Sequence, residues 1–186
     1  MKQKLFFLVC FFVAMAAIPI VTVNFETKNI RLSTADEVIL DEPSDENICK
    51  IVASLCNNEF CDESLEAIAR IVKTNMKSGF KYEIEEISDK ELYLRLKDII
   101  NSKTELLLYH NNVKYIPHSF CSDGSTNYNE NYNYLSPVAS PWDCFCEEYE
   151  QNLSCSGVSL YGIDYLCKNG MSGEDALSWY LPEFMV

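Results

Sequence analysis

Three of the chain's nine cysteines, Cys121, Cys144 and Cys146, bracket a Ser/Asn/Tyr-rich stretch, with His118 and Cys155 close by in sequence. Thiolates and imidazoles are ligands of tetrahedral Zn²⁺, and three Cys with a His or a fourth Cys make up a structural set. Cys144 and Cys146 are poorly placed to bridge each other, yet both can face one metal, although the spacing is not that of a standard knuckle. The eight cysteines after Cys10 equally form a disulfide framework in an oxidising compartment. A third reading is thiols buried as small hydrophobes. His110 and His118 are the only histidines, and neither accompanies a nucleophile motif, which argues against a thiol hydrolase. Tyr128, Tyr132 and Tyr134 in the same stretch offer ring faces for stacking on sugars, or simply belong to a mobile polar loop.

The elements that must position these residues begin with a pair of helices between Ile48 and Met76. Ile48, Ile51, Val52 and Leu55 recur at the i, i+3, i+4, i+7 spacing of one buried face, and Leu65, Ile68, Ala69, Val72 and Met76 repeat it. Ser44 to Asn47 supply capping side chains to the first helix, and Asp62 and Glu63 suit the dipole of the second. Glu66 and Arg70, four residues apart, read as a surface ion pair. Gly79 closes the second helix. Ser88 with Glu91 forms a capping box that opens a third, with Leu92, Leu96 and Ile99 inward. Thr104–Tyr109 and Val113–Ile116 flank Asn111-Asn112 as a hairpin. Residues 157–169 read as a further helix closed by Gly170, and Ser172 caps a last one that ends before Pro182. Helices beside a small antiparallel sheet make the expected fold class α+β.

Ahead of this domain, residues 5–23 are almost unbroken apolar sequence preceded by Lys2 and Lys4. The run is long enough to cross about 30 Å of hydrocarbon, and its lysines predict a cytoplasmic N-terminus. Residues 1–23 are therefore expected to be a transmembrane anchor, with a signal peptide cleaved near Ala14-Met15-Ala16 as the competing reading. Either way the rest lies outside the cytoplasm. Residues 24–43 read as a linker, with a short strand at Glu37–Leu40, and residues 44–186 as one domain. A formal charge of −13 argues against a nucleic-acid partner, because phosphate binding needs clustered Lys and Arg.

Several motifs, in this order, resemble the stage II sporulation protein D family, related to the amidase enhancers of cell-wall hydrolases. That family has V-V-A-x-E-M-P, a spacer and E-A-L-K-A-Q-A-V-A-A-R-T. Here stand Ile51-Val52-Ala53-Ser54 and Glu63-Ser64-Leu65-Glu66-Ala67-Ile68-Ala69, followed by Lys73-Thr74. Leu108–Asn112 matches its L-x-Y-x-G hairpin, and Ser122-Asp123-Gly124-Ser125-Thr126 its S-x-G-x-T segment. Tyr134-Leu135-Ser136-Pro137-Val138-Ala139-Ser140-Pro141-Trp142-Asp143 matches P-Y-L-x-x-V-x-S-P-W-D, and residues 157–163 stand for G-M-S-Q-Y-G-A. The resemblance covers roughly Ser44 to Leu181.

Family enzymes are lytic transglycosylases acting on peptide-free glycan strands, so the resemblance implies peptidoglycan as partner and cell-wall remodelling during sporulation as context. Their acid is the Glu of V-A-x-E, whose pKa must be raised to hold a proton at neutral pH. At that position this chain has Leu55, which completes the apolar stripe of the first helix. The family's Gln is Leu160, the His before that motif aligns with Ser154, and Arg-Thr-Tyr has become Lys73-Thr74-Asn75. The implied reading is a catalytically degenerate member that binds glycan strands or a partner hydrolase. Its old groove would be lined by Lys73, Ser122, Gly124, Thr126, Ser159 and Tyr161. The alternatives are an active transglycosylase using Glu59 as a displaced acid, and a zinc or disulfide module without a glycan role. Relatives with zinc near this region make Cys121, Cys144 and Cys146 the metal candidates.

Overall fold

The computed structural model describes residues 43–83, 89–100, 104–147 and 153–186. The expected anchor, the linker and the strand at Glu37–Leu40 lie outside the described residues. Among those described, no helix is long and apolar enough to cross a membrane. The described chain is α+β, with five helices, a three-stranded antiparallel sheet and a two-stranded parallel pair.

Helix α1, Asp45–Leu55, starts where the Ser44 hydroxyl accepts from the Asn47 amide, and it buries Ile48, Ile51 and Val52. Helix α2, Asp62–Lys77, is the centre of the domain. Both its apolar stripe and many of its polar residues are buried, and α1, α3, α4 and α5 all pack on it. Each fully buried Leu, Ile or Val here stabilises the fold by about 1.5–3 kcal/mol. The polar positions serve another segment's backbone. The Thr74 hydroxyl accepts from the Leu107 amide at 3.0 Å, and Asn75 both accepts from the Ile116 amide and donates to its carbonyl, at 2.6 and 2.8 Å. Lys73 Nζ donates to the Thr104 carbonyl at 2.7 Å. Side chains of α2 thus do for residues 104–116 what a neighbouring strand does in a wider sheet, satisfying buried backbone groups.

Arg70 departs from its expected place. It is buried rather than on the surface, with Nε directed at the Glu105 carbonyl and Nη1 3.9 Å from Glu174, not paired with Glu66. Helix α3 spans Lys90–Ile99. Its cap is Asp89, whose carboxylate accepts from the Glu91 and Leu92 amides. The expected cap Ser88 lies outside the described residues. Leu92 and Leu96 are fully buried and Ile99 half-buried. Arg95 ties α3 to the start of α2 through Asp62.

Strands β1 (Leu108–Tyr109) and β2 (Asn112–Val113) pair antiparallel, Tyr109 opposite Asn112. The two turn residues are therefore His110 and Asn111, both at positive φ, one position earlier than the expected Asn111-Asn112. The shift follows from register, since Asn112 is itself paired in β2, and strand β5, Phe184–Met185, closes on the other edge of β1.

Strand β3 (His118–Ser119) runs parallel to β4 (Val158–Ser159). This shortens the helix expected from residue 157. Residues 158–159 are drawn into pairing, and α4 spans Leu160–Lys168, with Ser159 as its cap. Gly157, at φ +82°, makes the entry possible, because a Cβ there would sit 2.2 Å from the Pro117 carbonyl oxygen. Helix α5, Gly173–Tyr180, is capped by Ser172 as expected and ends at Leu181.

Candidate binding groove

The C-terminal end of α1, the β3 strand and the first residue of α4 converge on an open groove of about 470 Å³. Its lining is Ser54, Leu55, Cys56 and Asn57 on one side, and His118, Ser119, Phe120 and Leu160 on the other. Leu55 is half-buried, so the last position of the α1 stripe packs on the core with one side and lines the groove with the other. The parallel pairing of β3 with β4 holds Leu160 against His118–Phe120, reinforced by the Tyr161 amide donating to the Phe120 carbonyl at 2.8 Å. No Asp or Glu stands among the described lining residues.

His118 is the groove's titratable ring. Its Nδ1 lies 3.1 Å from the Ile116 carbonyl, which only accepts, so Nδ1 carries the proton and Nε2 is the lone-pair nitrogen. Burial holds its pKa below the ordinary histidine value, with the Ile116 contact opposing, so the ring is neutral at neutral pH. Burial and nearby Asp164 push the Cys56 thiol well above its usual range, which makes it a poor nucleophile beside that imidazole. From His118 partly exposed rings continue along the surface. Tyr82 lies 6.0 Å from His118, Phe80 contacts Tyr82 and stacks on Tyr115 at 4.4 Å, and Tyr132 and Tyr134 follow.

Beneath one wall lies a polar node centred on Asp143, which is wholly buried. Its Oδ2 accepts from the Ser122 amide at 2.8 Å and the Ser122 hydroxyl at 2.5 Å, and its Oδ1 from the Ser159 hydroxyl at 3.0 Å. Ser159 Oγ in turn accepts from the Gly162 amide. The Ser122–Thr126 segment lies antiparallel to Val138–Ser140. The Thr126 and Val138 backbones are bonded, the Thr126 hydroxyl accepts from Val138, and Ser140 donates to the Gly124 carbonyl. Ser140 and Trp142 both meet the buried Tyr180 hydroxyl. The three sequence motifs around Ser122, Asp143 and Ser159 are thereby one structural unit.

The expected site residues are accordingly dispersed. Ser122, Thr126 and Ser159 are buried and hydrogen-bonded inside this node, Gly124 sits at its half-exposed turn, and none of them lines the groove. Lys73, on α2, is tied to the segment that leads into β1 by its bond to the Thr104 carbonyl. Tyr161 is half-exposed beside Cys146, and Glu59 is a solvent-exposed turn residue whose amide donates to Asn57 Oδ1. The groove residues Asn57, Ser119 and Phe120 carried no sequence signal beyond their nearness to His118 and Leu55.

The cysteine candidates do not fit zinc. Cys144 lies within the 3-10 turn Pro141–Phe145 and is exposed, while Cys146 just after it and Cys121 are buried. At three residues per turn, positions two apart point to different sides. Among the described residues no three His, Cys, Asp or Glu side chains gather around a point that would hold a metal.

Comparison of the chain with protein-family models and with curated proteins found no match.

Proposed function

We propose that this chain is a membrane-tethered, extracytoplasmic peptidoglycan-binding protein of the stage II sporulation protein D type. In this reading it binds glycan strands during cell-wall remodelling, alone or with a partner hydrolase, and has lost the transglycosylase chemistry. One observation carries the reading. Leu55, aligned by resemblance with the family's acid, and Leu160, aligned with its Gln, line the same open groove. A groove of this size is in the range of ligand pockets, and its mixture of apolar walls with Asn57, Ser119 and His118 suits a neutral polyhydroxylated chain. The neighbouring Tyr and Phe rings add stacking faces. Loss of the acid removes a contribution of about 10²–10⁴-fold to bond cleavage while leaving the groove to bind.

The test is incubation of the purified chain with peptide-stripped glycan strands. Co-sedimentation without new 1,6-anhydro-muramic ends is the expected result, and Phe120→Ala weakens retention about tenfold. Cleavage that disappears in Glu59→Gln overturns the silent-site reading. Absence of any retention overturns glycan binding.

A further inference from the structure

Two polar side chains on facing walls of the groove are oriented by bonds to the backbone. On one wall Asn57 turns its Oδ1 back on its own turn, where it accepts from the Glu59 amide at 3.0 Å. Its Nδ2, which only donates, has no protein partner among the described residues. On the other wall the His118 Nδ1–H donates to the Ile116 carbonyl at 3.1 Å, and the Nε2 lone pair has no protein partner among the described residues. The Ser54 hydroxyl is already given to the Ile51 carbonyl at 2.7 Å. The same groove is lined by the apolar side chains of Leu55, Phe120 and Leu160. No Lys, Arg, Asp or Glu stands among its described lining residues, and the chain as a whole carries a formal charge of −13.

A ligand matched to this set is uncharged, holds one acceptor and one donor close together, and ends in an apolar group. A carboxylate supplies acceptors only, meets no cation in the lining and enters the field of an acidic chain. A bare hydroxyl offers both hydrogen-bonding roles but brings nothing apolar. A secondary acetamide supplies all three: a carbonyl oxygen to accept from Asn57, an N–H to donate to His118 Nε2, and a methyl group for Leu55, Leu160 and Phe120. We infer that the groove selects the 2-acetamido group of an uncharged N-acetylglucosamine unit, in preference to a muramic unit with its lactyl carboxylate. The inference rests on the glycan-binding reading and names the unit of the strand that the groove seats. The half-exposed Phe120 ring adds a face for the sugar's C–H groups. A sugar with a hydroxyl in place of the acetamide leaves the methyl's place empty and one of the two polar walls unmatched, so it binds less well.

The experiment titrates the full-length chain calorimetrically with two neutral tetramers, beside sedimentation with peptide-stripped glycan strands. N-acetylchitotetraose carries four acetamides and no carboxylate, and cellotetraose has the same backbone with hydroxyls in their place. N-acetylchitotetraose should bind at least about tenfold more tightly, because two neutral hydrogen bonds and a methyl contact are at stake. Its affinity should not change with added salt, since no charge takes part. Asn57→Asp keeps an acceptor for the Glu59 amide but has no donor to offer, and should erase the preference. Equal affinity for the two tetramers overturns the inference, as does a preference that survives in Asn57→Asp. Retention of the strands with neither tetramer bound overturns the inference and leaves the glycan reading standing. Binding of N-acetylchitotetraose without retention of the strands supports the acetamide site and rejects the cell wall as its source. If nothing binds, both fall. The ratio of the two tetramers on the unaltered chain decides even if the variant fails to fold.

Discussion

Replacing Asp143 tests whether the three polar motifs of the second half are a structural node or a solvent-facing site. The carboxylate is wholly buried and accepts three hydrogen bonds, two from Ser122 and one from Ser159. Asp143→Ala leaves the Ser122 amide in the interior without an acceptor, strands two hydroxyls and opens a small void. A buried donor left unsatisfied costs about 1–3 kcal/mol, but the hydroxyls are able to rotate toward other acceptors, so the total is about 4 kcal/mol. Asp143→Asn keeps the volume and one acceptor, turns charge-assisted bonds into neutral ones and loses the Ser159 bond, for about 2 kcal/mol. Against a typical stability of about 5–15 kcal/mol these are large fractions. With an m-value of about 2 kcal/mol/M in urea, the midpoint should fall by about 1 M for Asn and about 2 M for Ala. The assay is equilibrium urea unfolding followed by tryptophan fluorescence. Trp142 is the residue next to Asp143, so the probe sits on the node. A Ser159→Ala, Asp143→Asn double-mutant cycle should return a coupling of about 1 kcal/mol. An Asp143→Ala midpoint within about 0.25 M of wild type refutes the node, because only a solvent-accessible carboxylate is lost so cheaply.

Other substitutions and conditions probe the groove and its supports. Gly162→Ala should destabilise by about 3 kcal/mol or abolish folding, because its Cβ would lie 1.9 Å from the Tyr180 hydroxyl and 2.8 Å from Trp142 Nε1; thermal melts of the variant check this. Stability should fall as pH drops below about 6.5, since His118 resists protonation when folded whereas the unfolded ring takes up a proton. Urea midpoints at pH 7.5 and 5.5 should therefore differ more in wild type than in His118→Asn, whose amide can still donate to Ile116. Leu55→Glu should fold with a loss of about 1–2 kcal/mol, because this leucine is half-buried, with one side on the core and the other on the groove; a loss above about 4 kcal/mol in urea unfolding would mean that the groove side is closed.

What the sequence determined by itself is everything that repeats at short range. The 3.6-residue stripes of α1 and α2 appear as buried faces because the same side chains that define the period are those removed from water. Ser44 and Ser172 act as caps, and Gly79 and Gly170 take up positive φ beyond the helix ends, because those needs arise within one turn of backbone. The tertiary structure decided whatever depends on a distant partner. The hairpin turn falls one residue earlier because Asn112 is taken into β2 opposite Tyr109, and the start of α4 moved to Leu160 because β3, some forty residues earlier, captured Val158 and Ser159. Arg70 was drawn inward toward Glu105 and Glu174, neither of which its own helix supplies. Ser122 and Ser159 turned away from the groove for the same reason, since a buried carboxylate at Asp143 binds hydroxyls more strongly than water-facing positions hold them. Leu55 shows both levels at once. Its period placed it on the apolar face of α1, but only the approach of β3 and Leu160 left that last position at the wall of an open groove.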